Sequence, residues 1–100
     1  MGYRHIDAAF CYQNEEEVGQ GISAAIKDGK VKREDIFVTT KLWCTYHTRV
    51  QEGLEASLKN LGLDYVDLFL MHWPVAMNPN GRQPLSSSLS IVFDSWEVNL

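Results

Sequence analysis

The sequence predicts an α/β fold built from parallel strands that alternate with helices. Three short segments rich in β-branched and aromatic residues are separated by two segments whose apolar residues recur at helical spacing. The later strand candidates are almost continuously apolar, which is typical of parallel strands covered by helices. The order strand, helix, strand, helix, strand should therefore form one parallel sheet with right-handed crossovers.

The first half of the chain supplies one strand and one helix. Residues 3–8 are a strand candidate, and residues 15–27 should form a helix, which Asp28 and Gly29 terminate. Asn14 is the expected N-cap, with Glu17 completing a capping box. Three glutamates in the first turn suit the positive end of the helix dipole. The apolar stripe of this helix comprises Val18, Ile22, Ala25 and Ile26.

The second half repeats the pattern. Residues 36–40 are β-branched and aromatic, so they form the second strand candidate. A second helix is expected over residues 49–61, with Thr48 as its N-cap and Gly62 closing it. Residues 64–71 form the third strand candidate.

Size, charge and composition limit the classes of function. One hundred residues allow one domain, and 45% hydrophobic with 22% charged residues is ordinary for a globular protein. The net charge of -4 and the scattered basic residues give no footprint for nucleic acid or an anionic membrane. No apolar run approaches the ~20 residues of a membrane span. With no signal peptide and only two cysteines, Cys11 and Cys44, we expect free thiols and a cytoplasmic location.

Each predicted strand ends in a polar side chain that can take part in chemistry. These residues are Asp7, Lys41 and His72, and Tyr12 lies in the loop after the first strand. The carboxyl ends of parallel strands meet at one edge of a sheet, where ligand sites form. Each residue alone has an ordinary structural explanation, as a loop cap, a surface phenol, a solvated lysine or a strand-end histidine. Their convergence at one edge favours a site.

This set of groups is suited to proton donation to a carbonyl oxygen. A lysine ammonium beside Tyr12 favours the phenolate and so makes the phenol a better acid. Asp7 can act as the counter-ion of Lys41, and His72 can orient the same oxygen. Two tryptophans near these residues, Trp43 and Trp73, would wall an apolar substrate pocket.

Metal binding is the competing use of such residues. Cys44 and His47 have ligand-like spacing, and His5 and Cys11 are nearby in sequence. No second pair of ligands completes a tetrahedral site, so we predict no metal. The chain also lacks the glycine motifs of a dinucleotide-binding fold or a P-loop.

Four segments resemble the signatures of the aldo-keto reductases. Gly2–Ala9 and Glu15–Gly19 look like that family's first signature, and Thr39–Trp43 looks like the strand that carries its catalytic lysine. Leu61–Pro74 resembles the segment that ends in its active-site histidine.

The resemblance implies an NADPH-dependent oxidoreductase that reduces aldehydes or ketones to alcohols. It assigns proton donation to Tyr12, and it pairs Lys41 with Asp7. His72 would orient the carbonyl, and we expect Trp43, Trp73 and Cys11 beside it in the substrate site. Asp7 is also expected to contact the cofactor.

The resemblance further implies that the chain is a fragment of a (β/α)8 barrel, holding about strands 2–4 of eight. We assign residues 1–81 to a partial reductase domain and residues 82–100 to an irregular serine-rich tail. Because most of the cofactor site would lie elsewhere in the barrel, we expect the chain to be inactive alone. Two alternatives are a non-catalytic interaction module completed by a partner chain, whose identity is unknown, and a gene fragment without independent function.

Overall fold

The computed structural model describes residues 2–78 of the chain. Short 3₁₀ turns lie in the connections between the regular elements, and the predicted serine-rich tail lies outside the described residues. The regular elements follow the predicted alternation and are β1 (His5–Asp7), α1 (Glu15–Lys27), β2 (Phe37–Leu42), α2 (Val50–Leu61) and β3 (Leu68–Met71).

The strands form one parallel sheet in the order β1-β2-β3. Asp7 is in register with Thr39, and Lys41 is in register with Leu70. Neighbouring strands in register point the paired side chains to the same face. Both pairs of strands are parallel, as predicted, and so the carboxyl ends of all three strands lie along one edge.

Both helices cover the same face of this sheet. The core between them is formed by Ile22, Ile36, Val38 and Leu61, each at most 6% exposed. Side chains of the opposite face are open among the described residues, with Phe37, Leu68 and Leu70 at 44%, 39% and 40% exposure. Helices therefore cover one face of a sheet type that usually has both faces covered.

The helices approach most closely where Gly19 of α1 meets the end of α2. A Cβ atom at Gly19 would overlap the backbone of Leu61, lying 2.6 Å from its carbonyl carbon. Gly19 is buried, whereas a Cβ at Gly21 in the same helix would meet nothing within 4 Å. The absence of a side chain at Gly19 thus sets the spacing of α1 and α2.

The predicted boundaries of all three strands were wrong at one end or both. β1 is shorter than residues 3–8, and β2 continues to Leu42 because Lys41 and Leu42 pair with β3. β3 starts at Leu68 rather than residue 64. Preceding it, the Asp67 amide donates to the Val38 carbonyl oxygen at 2.9 Å, but the Val38 amide donates to the Asp67 carboxylate at 2.8 Å, so a side chain takes the place of one backbone acceptor there.

The predicted N-cap position of α1 is confirmed, whereas its predicted capping bonds and the predicted N-cap of α2 were wrong. Asn14 precedes α1, but its side chain makes no capping bond with the helix and no capping box with Glu17 forms. Its φ of -133° and ψ of 19° differ from the extended backbone of a typical N-cap. Arg49, not Thr48, precedes α2. The predicted glycines are confirmed at the helix ends, with Gly62 at a φ of 65°.

Candidate active site

The ammonium of Lys41 anchors the candidate site. Its Nζ donates to Asp7 Oδ1 at 2.6 Å and to the Ala8 carbonyl oxygen at 2.9 Å. The Lys41 side chain is 14% exposed, whereas the Asp7 side chain is 63% exposed. Burial by itself would lower the pKa of Lys41, but the hydrogen bond and charge of Asp7, assisted by Tyr12, outweigh it and raise the pKa. Lys41 is therefore a fixed cation at neutral pH.

Tyr12 connects this ion pair to His72. The 3₁₀ turn Phe10–Tyr12 brings the phenol ring to 5.1 Å from Lys41 Nζ. On its other side, the Tyr12 ring meets the His72 imidazole edge-on, with centroids 5.6 Å apart. The structure thus brings Asp7, Lys41, Tyr12 and His72 together at the carboxyl ends of β1, β2 and β3.

The two predicted tryptophans both contact the His72 ring. Trp43 meets it edge-on with centroids 5.6 Å apart, and Trp73 stacks on it at 5.8 Å. Trp73 remains 56% exposed, so it presents an apolar surface to solvent next to the imidazole. This arrangement provides aromatic walls on two sides of His72.

His72 is held in its neutral form. Burial lowers the pKa of its imidazole, the charge of Lys41 lowers it further, and Asp7 opposes both. A neutral imidazole keeps one N–H donor and one acceptor nitrogen. His72 can therefore donate a hydrogen bond to a carbonyl oxygen without carrying charge.

Cys11, predicted to contact substrate, lies against His72. Its Sγ is 3.5 Å from Nδ1 and 3.9 Å from Nε2 of the imidazole. A sulfur in line with the Nδ1 lone pair would be much farther from Nε2, so the thiol packs over the ring. Burial raises the pKa of Cys11, although Lys41 opposes this. The group beside His72 is thus a neutral thiol.

Glu15 is a buried residue that the sequence pattern did not assign to the site. Only 2% exposed, its carboxylate accepts a hydrogen bond from Thr40 Oγ1 at 2.6 Å and another from Asn60 Nδ2 at 3.1 Å. These bonds join α1, β2 and α2. One feature of the sequence indicated that Glu15 is buried, because it lies three residues before Val18 and seven before Ile22, on the apolar stripe of α1.

The residues considered as metal ligands have other environments. His5 Nε2 lies 3.0 Å from Thr39 Oγ1, and its ring packs edge-on against Phe37. Cys44 and His47 are buried, and neither ring nitrogen of His47 has a hydrogen-bond partner in the part of the chain that the structure describes. Across residues 2–78, no group of three or more histidine, cysteine or acidic side chains could hold a metal ion. No helix in that range is long and apolar enough to cross a membrane.

Comparison with known sequences identifies the family. The sequence profile of the Aldo/keto reductase family matches residues 1–97. D-galacturonate reductase of Hypocrea jecorina is 63% identical over 82 residues, which cover 82% of this chain and 26% of that protein. Rho crystallin of Rana temporaria is 53% identical over 101 residues, covering 98% of this chain and 31% of the relative. The chain belongs to the aldo-keto reductase family.

Solved structures agree with this assignment. An aldo-keto reductase of Bombyx mori in complex with NADP superimposes with a TM-score of 0.86 at 49% identity. The superposition covers 95% of this chain and 31% of that one. The predicted fold class, a fragment of a (β/α)8 barrel, is confirmed. The chain spans about a third or less of the length of the relatives it matches.

Proposed function

We propose that this chain carries the proton-donating half of an NADPH-dependent carbonyl reductase. The observation that carries the proposal is the position of Lys41, whose Nζ lies 2.6 Å from Asp7 and 5.1 Å from the Tyr12 ring. A phenol beside a fixed ammonium can release its proton to an oxygen that is gaining negative charge. The substrate would be an aldehyde or ketone, and its product the alcohol.

The described residues have distinct parts in this reaction. Tyr12 donates the proton to the carbonyl oxygen, Lys41 favours the resulting phenolate, and Asp7 holds Lys41 in place. The neutral His72 donates a hydrogen bond to the same oxygen and so orients the carbonyl. Trp43, Trp73 and Cys11 contact the imidazole and would contact the apolar part of the substrate.

The residues present fit the reacting end of a nicotinamide cofactor. Asp7 is bound to Lys41 yet 63% exposed, so its free carboxylate oxygen can contact NADPH at the mouth of the site. NADPH would supply the hydride to the carbonyl carbon. The structure of the Bombyx mori relative holds NADP, which favours this cofactor.

We assign residues 1–81 to the reductase domain and residues 82–100 to a serine-rich tail. We also expect a cytoplasmic location. No nucleic acid or membrane is expected among the partners. Within residues 2–78, three strands with one uncovered face cannot enclose a cofactor, because a (β/α)8 barrel closes its site with loops from eight strands. We therefore expect the isolated chain to show no reductase turnover.

A graft into a relative tests the proposal. The matched segment of the Hypocrea jecorina D-galacturonate reductase is replaced by residues 1–81 of this chain, and oxidation of NADPH is followed with D-galacturonate. The graft should turn over, and Lys41→Met should lower kcat by about 10²-fold or more. Lys59→Met, on an exposed position of α2, is the matched control and should leave the rate unchanged. Equal rates for the two variants would refute the proposal.

A second candidate function is that of a non-catalytic module completed by another chain. It is favoured by the sheet face that no other described residues cover, where Phe37, Leu68 and Leu70 are between 39% and 44% exposed. Open strand edges and apolar surface are sites of pairing. Light scattering of the 100-residue chain separates the candidates, because a monodisperse monomer at high concentration would count against this second function. Degradation of the chain without any partner in cells would favour a gene fragment.

A further inference from the structure

We infer that Glu15 is a positioning residue that fixes the Tyr12 loop against the strand carrying Lys41. The inference rests on the proposed function for its chemical meaning, but its geometry is independent of turnover. Glu15 follows Tyr12 by three residues, and its carboxylate binds the hydroxyl of Thr40, the residue next to Lys41. One hydrogen bond therefore connects the segment that carries the Tyr12 proton donor to the residue next to Lys41.

The segment that carries Tyr12 is attached to β2 at both of its ends. At the first end, the Ala8 amide donates to the Thr39 carbonyl at 2.8 Å, and Lys41 Nζ donates to the Ala8 carbonyl at 2.9 Å. At the second end, Thr40 Oγ1 donates to Glu15 at 2.6 Å. Because both attachments reach three consecutive residues of one strand, the loop between them has little freedom to move relative to Lys41.

The two attachments lie on opposite faces of the sheet. Thr40 is fully buried and points to the helices, as its bond to Glu15 of α1 requires. Lys41 is the next residue, so its side chain points to the other face, where it meets Asp7 and Tyr12. The chain from Ala8 to Glu15 thus crosses the end of β2, and side-chain hydrogen bonds on both faces of the sheet hold it there.

Within this crossing, the backbone also contains a conformation that few side chains adopt. Gln13, directly after Tyr12, has a φ of 58°, and its amide donates to the Phe10 carbonyl at 3.2 Å. A non-glycine residue in the left-handed region needs support from surrounding structure. The bonds made by Glu15, two residues later, supply such support at the start of α1.

The second bond of Glu15 offers a matched control. Asn60 donates to Oε2 of the same carboxylate at 3.1 Å, but Asn60 lies on α2 and not on the strand that carries Lys41. Asn60→Ala and Thr40→Val each remove one of the two hydrogen bonds to Glu15. If Glu15 only stabilised the core, the two changes would affect the site equally.

The deciding experiment measures the contact of Tyr12 with Lys41 by nuclear Overhauser effects in the isotopically labelled 100-residue chain. We expect cross-peaks between the Tyr12 ring and the Lys41 ε-methylene in the parent, Thr40→Ser and Asn60→Ala chains, and their loss in Thr40→Val. Thr40→Ser keeps the hydroxyl, so it separates the bond from the methyl group. Retention of the contact in Thr40→Val, or its equal loss in Asn60→Ala, would overturn the inference.

The same variants in the grafted reductase keep the inference testable if a variant of the isolated chain unfolds. Thr40→Val should lower kcat by about 10- to 100-fold with KM for NADPH unchanged, because small misplacements of catalytic groups have effects of this size. Thr40→Ser should restore the rate, and Asn60→Ala should not change it. Equal kcat for Thr40→Val and Asn60→Ala would refute the role of Glu15. A graft that retains turnover without Lys41 would instead refute the proposed function, while the Tyr12–Lys41 contact would still report on Glu15.

Discussion

The contact between Gly19 and Leu61 gives a sharp prediction about how the two helices hold the sheet. Replacing Gly19 with alanine adds a single Cβ atom, which would overlap the carbonyl group at the end of α2. The obstacle is backbone, so no rotation of a side chain can remove the overlap. Helix α1 must therefore move away from α2, and the core between the helices must open.

The magnitude follows from comparison with Gly21→Ala. Both changes replace a helical glycine with alanine, which by propensity alone stabilises a helix by about 0.5–1 kcal/mol. Only Gly19→Ala adds an overpacking cost, and such costs are about 1–3 kcal/mol in a well-packed core. Because the propensity gain is common to both, Gly19→Ala should be less stable than Gly21→Ala by about 1–3 kcal/mol.

Urea denaturation of the 100-residue chain, followed by far-ultraviolet circular dichroism, measures this difference. Gly21→Ala should unfold at higher urea than the parent, and Gly19→Ala at lower urea, with similar slopes. Equal midpoints for the two variants would contradict the close packing of α1 on α2.

Two further predictions concern ionisation. Asp7→Asn removes the charge that outweighs the burial of Lys41, so the pKa of Lys41 should fall. A nuclear magnetic resonance titration of the Lys41 ε-methylene can follow this fall. An unchanged titration would mean that Asp7 does not hold the ammonium. Burial without a partner lowers the pKa of His47 below its usual 6.5. Below about pH 6.5 the unfolded chain binds a proton on this imidazole more readily than the folded chain does. The free energy of unfolding therefore keeps its full value above about pH 6.5 and decreases at lower pH, by at most about 1.4 kcal/mol per pH unit. His47→Phe should flatten this dependence in urea denaturation at several pH values, and an identical dependence in both chains would refute the assignment.

The strand and helix order was predictable because apolar spacing is a local property of the chain. The proximity of Asp7, Lys41 and His72 was also predictable, because a parallel topology places strand ends together wherever they lie in sequence. Their grouping with Tyr12 needed only the position of one loop. These features depend on element type and order, which a sequence pattern carries well.

The features that escaped prediction depend on contacts between distant residues. The position of Glu15 on the apolar stripe of α1 indicated its burial, but nothing local indicated that Thr40 and Asn60 would bind its carboxylate. The late start of β3 has a similar origin, because Asp67 binds the Val38 amide through its side chain. Whether a side chain takes the place of a backbone acceptor in this way depends on tertiary contacts, which a local sequence pattern does not show.

Proton donation by Tyr12 is the central step of the proposed reaction, and one pair of variants tests it directly. In the grafted reductase, Tyr12→Phe removes the phenolic hydroxyl next to Lys41, whereas Tyr3→Phe removes one that is on a residue 83% exposed. Steady-state oxidation of NADPH should show kcat lowered by about 10²- to 10⁴-fold for Tyr12→Phe and unchanged for Tyr3→Phe. Turnover by Tyr12→Phe at the rate of the unmodified graft would contradict the central claim.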